Sequence, residues 1–495
     1  MSHTPPQWHV ITRRLAPLTA VAVLALLAAA CATNPVTGKK EFSLMSEAQE
    51  IDIGRQLDAE VRREMGLYED AELQRYVSDI GLRLARSSQR PNLPWQFAVV
   101  DAPAVNAFAL PGGFIYLTRG IMPYLDDEAE LAGVLGHEIG HVTARHAAQQ
   151  YSRATGAQLG LILGGIFFPA SRPFGQLAET GLGLLFLKHG RDDELQADRL
   201  GAEYAMTGGW DPAGVPDLLN TLARIDEAAD RRGIPNWLST HPHPADRVER
   251  VSETVQQLRA KGGERLAVDR DQFLRRIDGM VFGDNPEEGI VRGNTFLHPD
   301  LRFGLTFPQG WEIQNGKTQV VAKAPGEDLY MLLQLVQDPQ GRSIEEVAVR
   351  GMQRAGFRAV EGSATQINGL DAHVGTYQGS LEGLGRVVTR AAHIGHGRNV
   401  FVLAGIAKQG QYGGNSERDF AASIRSFRAL SRTEAADVRP NRVDLYVVRD
   451  GDTWQSIAQR AGEGNIKPST LAIMNNSAPN MQPRPGDRIK IVVAG

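Results

Sequence analysis

The most regular hydrophobic pattern in the chain lies between residues 131 and 142. Its apolar positions recur every three or four residues, as on one face of an α-helix; they are Leu131, Val134, Leu135, Ile139 and Val142. Acidic residues 126–128 precede the run and suit the positive end of a helix dipole. Glycines at 133, 136 and 140 would each destabilise a helix interior by up to ~1 kcal/mol relative to alanine. The pattern therefore predicts a buried helix packed closely against another backbone.

Later parts of the chain change to patterns typical of strands. Residues 301–308 alternate between apolar and polar side chains, and residues 331–336 form a short apolar run. Helical spacing and further strand-like runs follow at 344–356, 386–394, 400–406 and 419–428. We expect a small α+β domain over residues 294–430, of unknown role and without a catalytic constellation.

Length and composition indicate several globular domains. A chain of 495 residues exceeds the size at which single hydrophobic cores stop growing. Its content of 42% hydrophobic and 22% charged residues excludes a disordered chain. The formal net charge of −4 argues against nucleic acid as a partner.

The N-terminus has the pattern of a secretory signal. Arg13 and Arg14 precede an apolar run over residues 15–30, which is shorter than a comfortable membrane span of ~20 residues. We therefore expect residues 1–30 to be a signal peptide.

Cys31 is expected to carry a lipid. Residues 28–31, Ala-Ala-Ala-Cys, resemble a lipoprotein cleavage box, and Cys31 is the only cysteine, which excludes an intramolecular disulfide. By analogy with Gram-negative lipoproteins, Ala32 predicts a lipid anchor on the periplasmic side of the outer membrane, with residues 31–46 as a tether. The alternative is cleavage at an Ala-x-Ala site with Cys31 as an incidental thiol.

Residues 137–141 form an H-E-x-x-H motif on the predicted helix. His137 and His141 are four residues apart and so face one side of a helix, where they can take two corners of a Zn²⁺ tetrahedron. Glu138 between them can act as a general base. His146 lies about 500° round the helix from His141, so we expect a polar residue on the helix flank and not a ligand.

A zinc site needs a third protein ligand. Glu194 and Asp198 are also four residues apart, which places both carboxylates on one face of a second helix. One carboxylate can bind the metal while the other accepts the outer N–H of a ligating histidine. The alternative is that these carboxylates only form a solvated cap at the start of the helix.

Four motifs in order, within residues 40–255, resemble peptidase family M48, the gluzincin-type zinc endopeptidases. They are residues 106–117, the H-E-x-x-H motif, E-x-x-A-D-x-x-G at 194–201, and residues 240–247. The resemblance implies one Zn²⁺ held by His137, His141 and Glu194, with Glu138 as the general base.

The resemblance also implies roles for the segment after the third ligand. His241 would stabilise the oxyanion of the reaction or, as in some relatives, take the fourth zinc position and hold the enzyme latent. His243 is a rival for either role. Arg247 would be a supporting charge or a structural anchor.

Residues 114–118 are predicted to form a strand that opens at Pro111-Gly112-Gly113. A strand beside the metal helix can pair with an extended peptide, so Phe114 and Tyr116 are candidate substrate-binding residues. Asn106 would contact the substrate backbone or hold the turn. The alternative is an ordinary sheet strand.

The C-terminal residues 443–495 resemble a LysM module. Residues 446–458 match its first strand and helix, and residues 471–476 and 485–491 match its second helix and last strand. The resemblance implies a β-α-α-β fold and binding of N-acetylglucosamine-containing glycans, which means peptidoglycan in a periplasmic protein. The alternative is a degenerate module that keeps only the fold.

Together these features predict a multidomain protein. A mainly α-helical (α+β) zincin-like metalloprotease domain is followed by the small α+β domain and the LysM-like module. The predicted boundaries are 47–260 for the protease, 261–293 for a linker, 294–430 for the small domain, 431–442 for a second linker and 443–495 for the LysM module. The apolar runs at 157–168 and 181–187 are expected to form a helical hairpin, either core or a cover over the cleft.

The resulting functional hypothesis is a zinc endopeptidase that hydrolyses misfolded or unassembled cell-envelope proteins. The alternative is a peptidoglycan-anchored, chaperone-like binding protein with little proteolytic activity.

Overall fold

The computed structural model describes residues 31–153, 189–228, 237, 241, 245–261, 266–337, 339, 343–462 and 466–494. The predicted signal peptide, the apolar hairpin and His243 lie outside these residues. Within the described part of the chain, no helix combines the length and apolarity needed to span a membrane.

The N-terminal domain combines helices with a small mixed sheet. Its elements are β1 (Cys31–Thr33), β2 (Lys40–Phe42), α1 (Glu47–Glu64), α2 (Ala71–Arg86), β3 (Gln96–Val100), β4 (Ala107–Leu110), β5 (Phe114–Thr118), α3 (Glu128–Thr143), α4 (Arg191–Thr207), α5 (Gly214–Ala228), α6 (Ala245–Lys261) and α7 (Arg270–Ile277). Strand β5 is central in its sheet, since it pairs in parallel with β3 and antiparallel with β4. Strands β1 and β2 form a separate antiparallel pair.

Helix α3 is the predicted metal-binding helix. The side chain of Asp127 caps its start by accepting a hydrogen bond from the backbone N–H of Glu130, which satisfies one otherwise unpaired donor. Every residue of α3 is buried. This burial agrees with the expectation from its glycines and apolar positions.

Glycines bring α3 and α4 into backbone contact. A Cβ atom at Gly136 would lie 2.9 Å from the carbonyl oxygen of Gly201, and one at Gly201 would lie 2.9 Å from the backbone nitrogen of His137. A Cβ atom at Gly140 would lie 3.1 Å from Cα of Ala197. Side chains at these positions would push the helices apart, so the glycines allow α4 to lie directly against the H-E-x-x-H turn.

Residues 31–46, expected to be a tether, pack against this domain. Asn34 is buried, and its side-chain amide donates to the carbonyl oxygen of Ala144, just beyond the end of α3, at 3.2 Å. The backbone N–H of Leu44 donates to Oγ of Ser152 at 2.9 Å. The segment therefore supports the end of the metal-binding helix.

The expected linker 261–293 is also structured where it is described. Helix α7 buries Phe273, Leu274 and Ile277 in the main hydrophobic core, together with residues of α2 and α3. Two short strands follow, β6 (Val281–Phe282) and β7 (Ile290–Arg292). Sequence patterns did not reveal this extension of the core.

The middle domain is α+β, as predicted. It contains β8 (Thr295–His298), β9 (Phe303–Thr306), β10 (Glu312–Asn315), β11 (Gln319–Lys323), β12 (Leu329–Leu335), α8 (Ile344–Arg354), β13 (Arg358–Ile367), β14 (Leu370–Leu381), β15 (Gly385–His396), β16 (Asn399–Lys408), α9 (Asn415–Ser426) and β17 (Arg428–Ala429). One antiparallel sheet has the order β10-β11-β12-β16-β15-β14-β13, and a second has the order β17-β9-β8-β7. A separate hydrophobic core lies between them and includes Phe303, Phe401 and Phe420.

The C-terminal module follows the short helix α10 (Arg432–Ala436). It consists of β18 (Asn441–Val447), α11 (Trp454–Ala461), α12 (Pro468–Met474) and β19 (Arg488–Val493). Strands β18 and β19 are antiparallel, so the β-α-α-β order is confirmed. Strand β6 of the expected linker pairs with β18 and joins the module to the N-terminal domain.

A buried lysine fixes the module beside the start of α3. The Lys490 side chain is fully buried, and its ammonium group donates to the carbonyl oxygen of Leu125. It also lies 3.5 Å from the Asp126 carboxylate, to which Arg270 donates as well. Because a buried charge is stabilised only by such partners, the module is docked and not freely tethered.

Candidate metal centre

The described structure brings four potential ligands together. Nε2 of His137 and Nε2 of His141 are 3.0 Å apart, on adjacent turns of α3. The Glu194 carboxylate of α4 lies 3.4 Å from Nε2 of His141 and 3.7 Å from Nε2 of His137. Nδ1 of His241 lies 2.9 Å from Oε1 of Glu194 and 3.5 Å from Nε2 of His137. All four side chains are buried.

The outer nitrogen of His137 is held by Asp198. Nδ1–H of His137 donates to Oδ1 of Asp198 at 2.9 Å. Both oxygens of Asp198 accept from Arg247, through Nε and Nη2, at 2.7 Å each. Nη1 of Arg247 lies 2.8 Å from Oε2 of Glu194. The structure thus favours the anchoring role among the two considered for Arg247.

Glu138 faces the same site from the turn between the two histidines. Its side chain is 1% exposed, and Oε1 accepts no hydrogen bond from the described residues. Nε2 of His241 is 3.7 Å from this oxygen. Burial raises the pKa of Glu138 above its usual range. A carboxylate with a raised pKa is better matched to proton transfer near neutral pH.

Glu194 and Asp198, the acidic residues of α4 that lie in the site, have pKa values shifted in the opposite direction. Although burial opposes ionisation, His241 and His141 hold the pKa of Glu194 well below its usual range. Burial is likewise outweighed at Asp198, whose pKa is lowered by Arg247 and His137. Both groups are therefore carboxylates at neutral pH, with lone pairs available for cations.

The donor set fits a zinc ion. Because Nδ1–H of His137 is committed to Asp198, its Nε2 carries a lone pair that points at Nε2 of His141 and at Glu194. Tetrahedral zinc, with bonds of ~2.0–2.1 Å, spaces two ligand nitrogens about 3.4 Å apart. The separations among His137, His141 and Glu194, 3.0–3.7 Å, bracket this spacing.

His146 does not lie on the helix flank, where helical periodicity predicts it. Helix α3 ends at Thr143, and Arg145 adopts a left-handed backbone conformation with φ 62°. The chain therefore turns, and the fully buried ring of His146 comes within 2.8 Å of His141, Nδ1 to Nδ1. A periodicity argument cannot detect the end of the helix.

Phe114 and Tyr116 do not face the metal centre, so their predicted role in substrate binding is wrong. Both side chains are buried in a cluster with Leu57 and Val61 of α1. Strand β5 also has partners on both edges, so it cannot pair with a substrate. Sequence could identify this strand but not its place in the sheet.

Asn106 lies just before β4, at the end of the β4–β5 hairpin away from the turn at residues 111–113. Its side-chain oxygen accepts from the backbone N–H of Ala107 at 2.9 Å, and its backbone N–H donates to Thr118 at 3.0 Å. The adjacent strand β4 pairs only with β5 within the described residues, and it packs against α3. Within the described residues, β4 is therefore an edge strand, whereas β5, the strand named in the substrate hypothesis, is not.

Trp237 is a site residue that the motif search missed. Its ring stacks on His241 with centroids 4.0 Å apart and 18° between planes, and its backbone N–H donates to Val105 at 3.0 Å. The sequence signal that could have identified Trp237 is its position, four residues before His241. The ring holds His241 in place over the ligand cluster.

Comparison with known proteins agrees with both motif assignments. The model of Peptidase family M48 matches residues 71–255, and the LysM domain model matches residues 446–492. These matches place the metal centre in the first region and the β-α-α-β module in the second.

Curated relatives extend the similarity. The chain is 31% identical over 364 residues to the Beta-barrel assembly-enhancing protease of Yersinia pestis, covering 69% of this chain and 73% of that protein. It is 30% identical over 262 residues to the protein of the same name in Escherichia coli strain K12, covering 51% and 53%. It is 34% identical over 161 residues to Mitochondrial metalloendopeptidase OMA1 of Arabidopsis thaliana, covering 32% and 31%.

The match spans about half the length of the first curated relatives, and more of the Yersinia protein. The region that matches the family model includes all the ligands brought together in the metal centre. The chain therefore belongs to peptidase family M48.

Proposed function

We propose that this protein is a zinc-dependent endopeptidase. The observation that carries the proposal is the convergence of His137, His141 and Glu194 with the buried carboxylate of Glu138 beside them. When bound there, zinc supplies Lewis acidity, which polarises a peptide carbonyl and makes water a usable nucleophile near neutral pH.

Residues of this chain carry out proton transfer, ligand orientation and substrate binding. Glu138 takes a proton from the attacking water and passes it to the leaving amine. Asp198 holds the ring of His137, and Arg247 holds Asp198. The edge of β4 that faces away from β5 binds an extended peptide through main-chain hydrogen bonds, which gives affinity with little sequence selectivity.

The proposed substrates are misfolded or unassembled envelope proteins. This proposal is supported by the relatives named Beta-barrel assembly-enhancing protease and by the lipoprotein-like sequence at Cys31. On this proposal Cys31 carries a lipid that anchors the chain to the periplasmic side of the outer membrane.

Metal removal tests the proposal directly. We expect the purified full chain to contain about one zinc ion and to hydrolyse casein, since three protein ligands suffice for a catalytic site. A chelator should abolish hydrolysis, and added Zn²⁺ should restore it. Zinc content by mass spectrometry and casein hydrolysis are the measurements; hydrolysis that persists in metal-free protein would contradict the proposal.

We further propose that His241 is a latch that fills the fourth position of the metal site. Its Nδ1 already lies within 3.5 Å of both His137 and Glu194, and stacking on Trp237 keeps it there. His241→Ala is therefore expected to raise casein hydrolysis several-fold while zinc content stays unchanged. A fall in hydrolysis at full zinc content would instead support the oxyanion role.

The C-terminal module is proposed to bind N-acetylglucosamine-containing glycans, as in peptidoglycan. The side chain of Asn475 is used internally, since it donates to Leu471 and Lys490 at 2.9 and 2.8 Å. A cavity of about 610 Å³ lies between the module and the protease domain, lined by Trp454, Asn476 and Arg224 among others. A ligand in this cavity would contact both domains.

A further inference from the structure

We propose that His146 is a positioning residue that fixes the tautomer of the zinc ligand His141, with Gln196 as the end of the hydrogen-bond chain. The inference rests on the zinc site proposed above. It concerns two residues outside the ligand set, and it extends the proposed function to the way in which the ligands are oriented.

The turn of the backbone after α3 places His146 beside His141. Arg145 adopts the left-handed backbone conformation that side chains disfavour. Its side chain forms an ion pair with Glu50 and donates to the carbonyl oxygen of Met45. Glu50 also accepts from Arg90, which donates to the carbonyl oxygen of Val142 at the end of the helix. This turn is thus stabilised by buried charged groups.

The ring of His146 then bridges α3 and α4. Its Nδ1 lies 2.8 Å from Nδ1 of His141, and its Nε2 lies 2.9 Å from Oε1 of Gln196. The Asp193 carboxylate lies 3.7 Å from the same Nε2. Both groups near Nε2 are therefore acceptors, and the ring itself is fully buried.

Proton placement follows from these partners. Because Nε2 faces acceptors, it carries the proton of the neutral ring and donates to Gln196. Nδ1 of His146 then carries no proton, so Nδ1–H of His141 must be the donor in the short contact between the rings. Nε2 of His141 is left with a lone pair that points into the ligand cluster, as zinc binding requires.

The two histidine ligands are therefore oriented by different groups. His137 donates to the carboxylate of Asp198, whereas His141 donates to a neutral imidazole. If the proton of His141 were on Nε2 and not on Nδ1, this N–H would point at Nε2 of His137, only 3.0 Å away, and would exclude a cation. Gln196 and His146 thus select the metal-binding tautomer before the metal arrives.

Zinc affinity is the measurement that tests this role. We expect His146→Leu to weaken zinc binding about 10–100-fold in a chelator competition assay on the full chain, which is the usual effect of losing an outer-shell partner of a ligand. His146→Asn keeps an acceptor oxygen near the position of Nδ1 and should recover most of the affinity. Gln196→Met should weaken binding as well, whereas Gln196→Glu, which keeps the acceptor, should not.

Two controls separate a positioning role from a general effect on the fold or on a neighbouring histidine. His189 stacks on His141 with centroids 3.9 Å apart, but its Nδ1 bonds to Gln150, so His189→Leu should leave zinc affinity unchanged. The melting temperature of each metal-free variant shows whether it folds.

The outcomes distinguish this inference from the proposed function. Wild-type zinc affinity in folded His146→Leu and Gln196→Met would overturn the inference. A wild-type chain that binds no zinc would instead overturn the proposed function.

Discussion

Replacing Glu138 by Gln is expected to lower casein hydrolysis about a thousandfold, in the middle of the range for loss of a general base. The amide matches the carboxylate in size but cannot take the proton from water. Zinc content should stay unchanged, because Glu138 is not among the clustered ligands. Steady-state hydrolysis and zinc content, measured on the same preparation, check both parts of the prediction.

A matched control is available on α4. Asp192 lies exposed in the first turn of that helix, two residues before Glu194, and Asp192→Asn makes the same carboxyl-to-amide change without touching the site. It should hydrolyse casein at the wild-type rate. Equal loss of activity in both variants, or full activity in Glu138→Gln, would contradict the role of Glu138 as the base.

The same Glu138→Gln variant separates the two functional hypotheses in cells. A protease that clears envelope proteins needs the carboxylate, whereas a chaperone-like binding protein does not. If the variant relieves envelope stress as well as the wild-type chain does, the chain does not act in cells through proteolysis. Zinc binding and fold would be intact in either case.

The sequence sufficed for those parts of the site that lie on regular helices. H-E-x-x-H on α3 and the pair Glu194 and Asp198 on α4 each follow from a four-residue spacing, which fixes the facing direction of side chains. The glycines at 136 and 140 predicted close backbone packing. These local rules hold because α3 and α4 are uninterrupted across the motif.

The parts that could not be predicted depend on chain reversals or on sheet order. The position of His146 follows from one left-handed residue, Arg145, held by contacts with a distant helix. The substrate role given to Tyr116 failed because strand order is a tertiary property. The docked LysM module depends on Lys490, whose partners lie more than 360 positions away, at Leu125 and Asp126.

Arg247→Met is expected to destabilise the metal-free protein by about 3–5 kcal/mol, the usual cost of removing one partner of a buried ion pair. Arg247 is 1% exposed and is the cation shared by Asp198 and Glu194. Without it, two buried carboxylates face each other across one helical turn. Arg247→Lys should recover only part of the loss, because an ammonium group cannot bond both oxygens of Asp198 in the planar, paired manner of a guanidinium.

Urea unfolding in the presence of chelator measures this effect without a contribution from zinc. The same helix offers a control, since Arg259 forms a partly exposed ion pair with Asp211; Arg259→Met should cost less than about 1 kcal/mol. The pKa values of Asp198 and Glu194 are lowered in the folded protein, so the stability that Arg247 contributes is present above about pH 4, the ordinary carboxyl range, and is lost as the pH falls through the lowered values. The difference between wild type and Arg247→Met should therefore shrink on acidification. A difference that is small at pH 7, or that does not depend on pH, would show that the carboxylates do not need this cation.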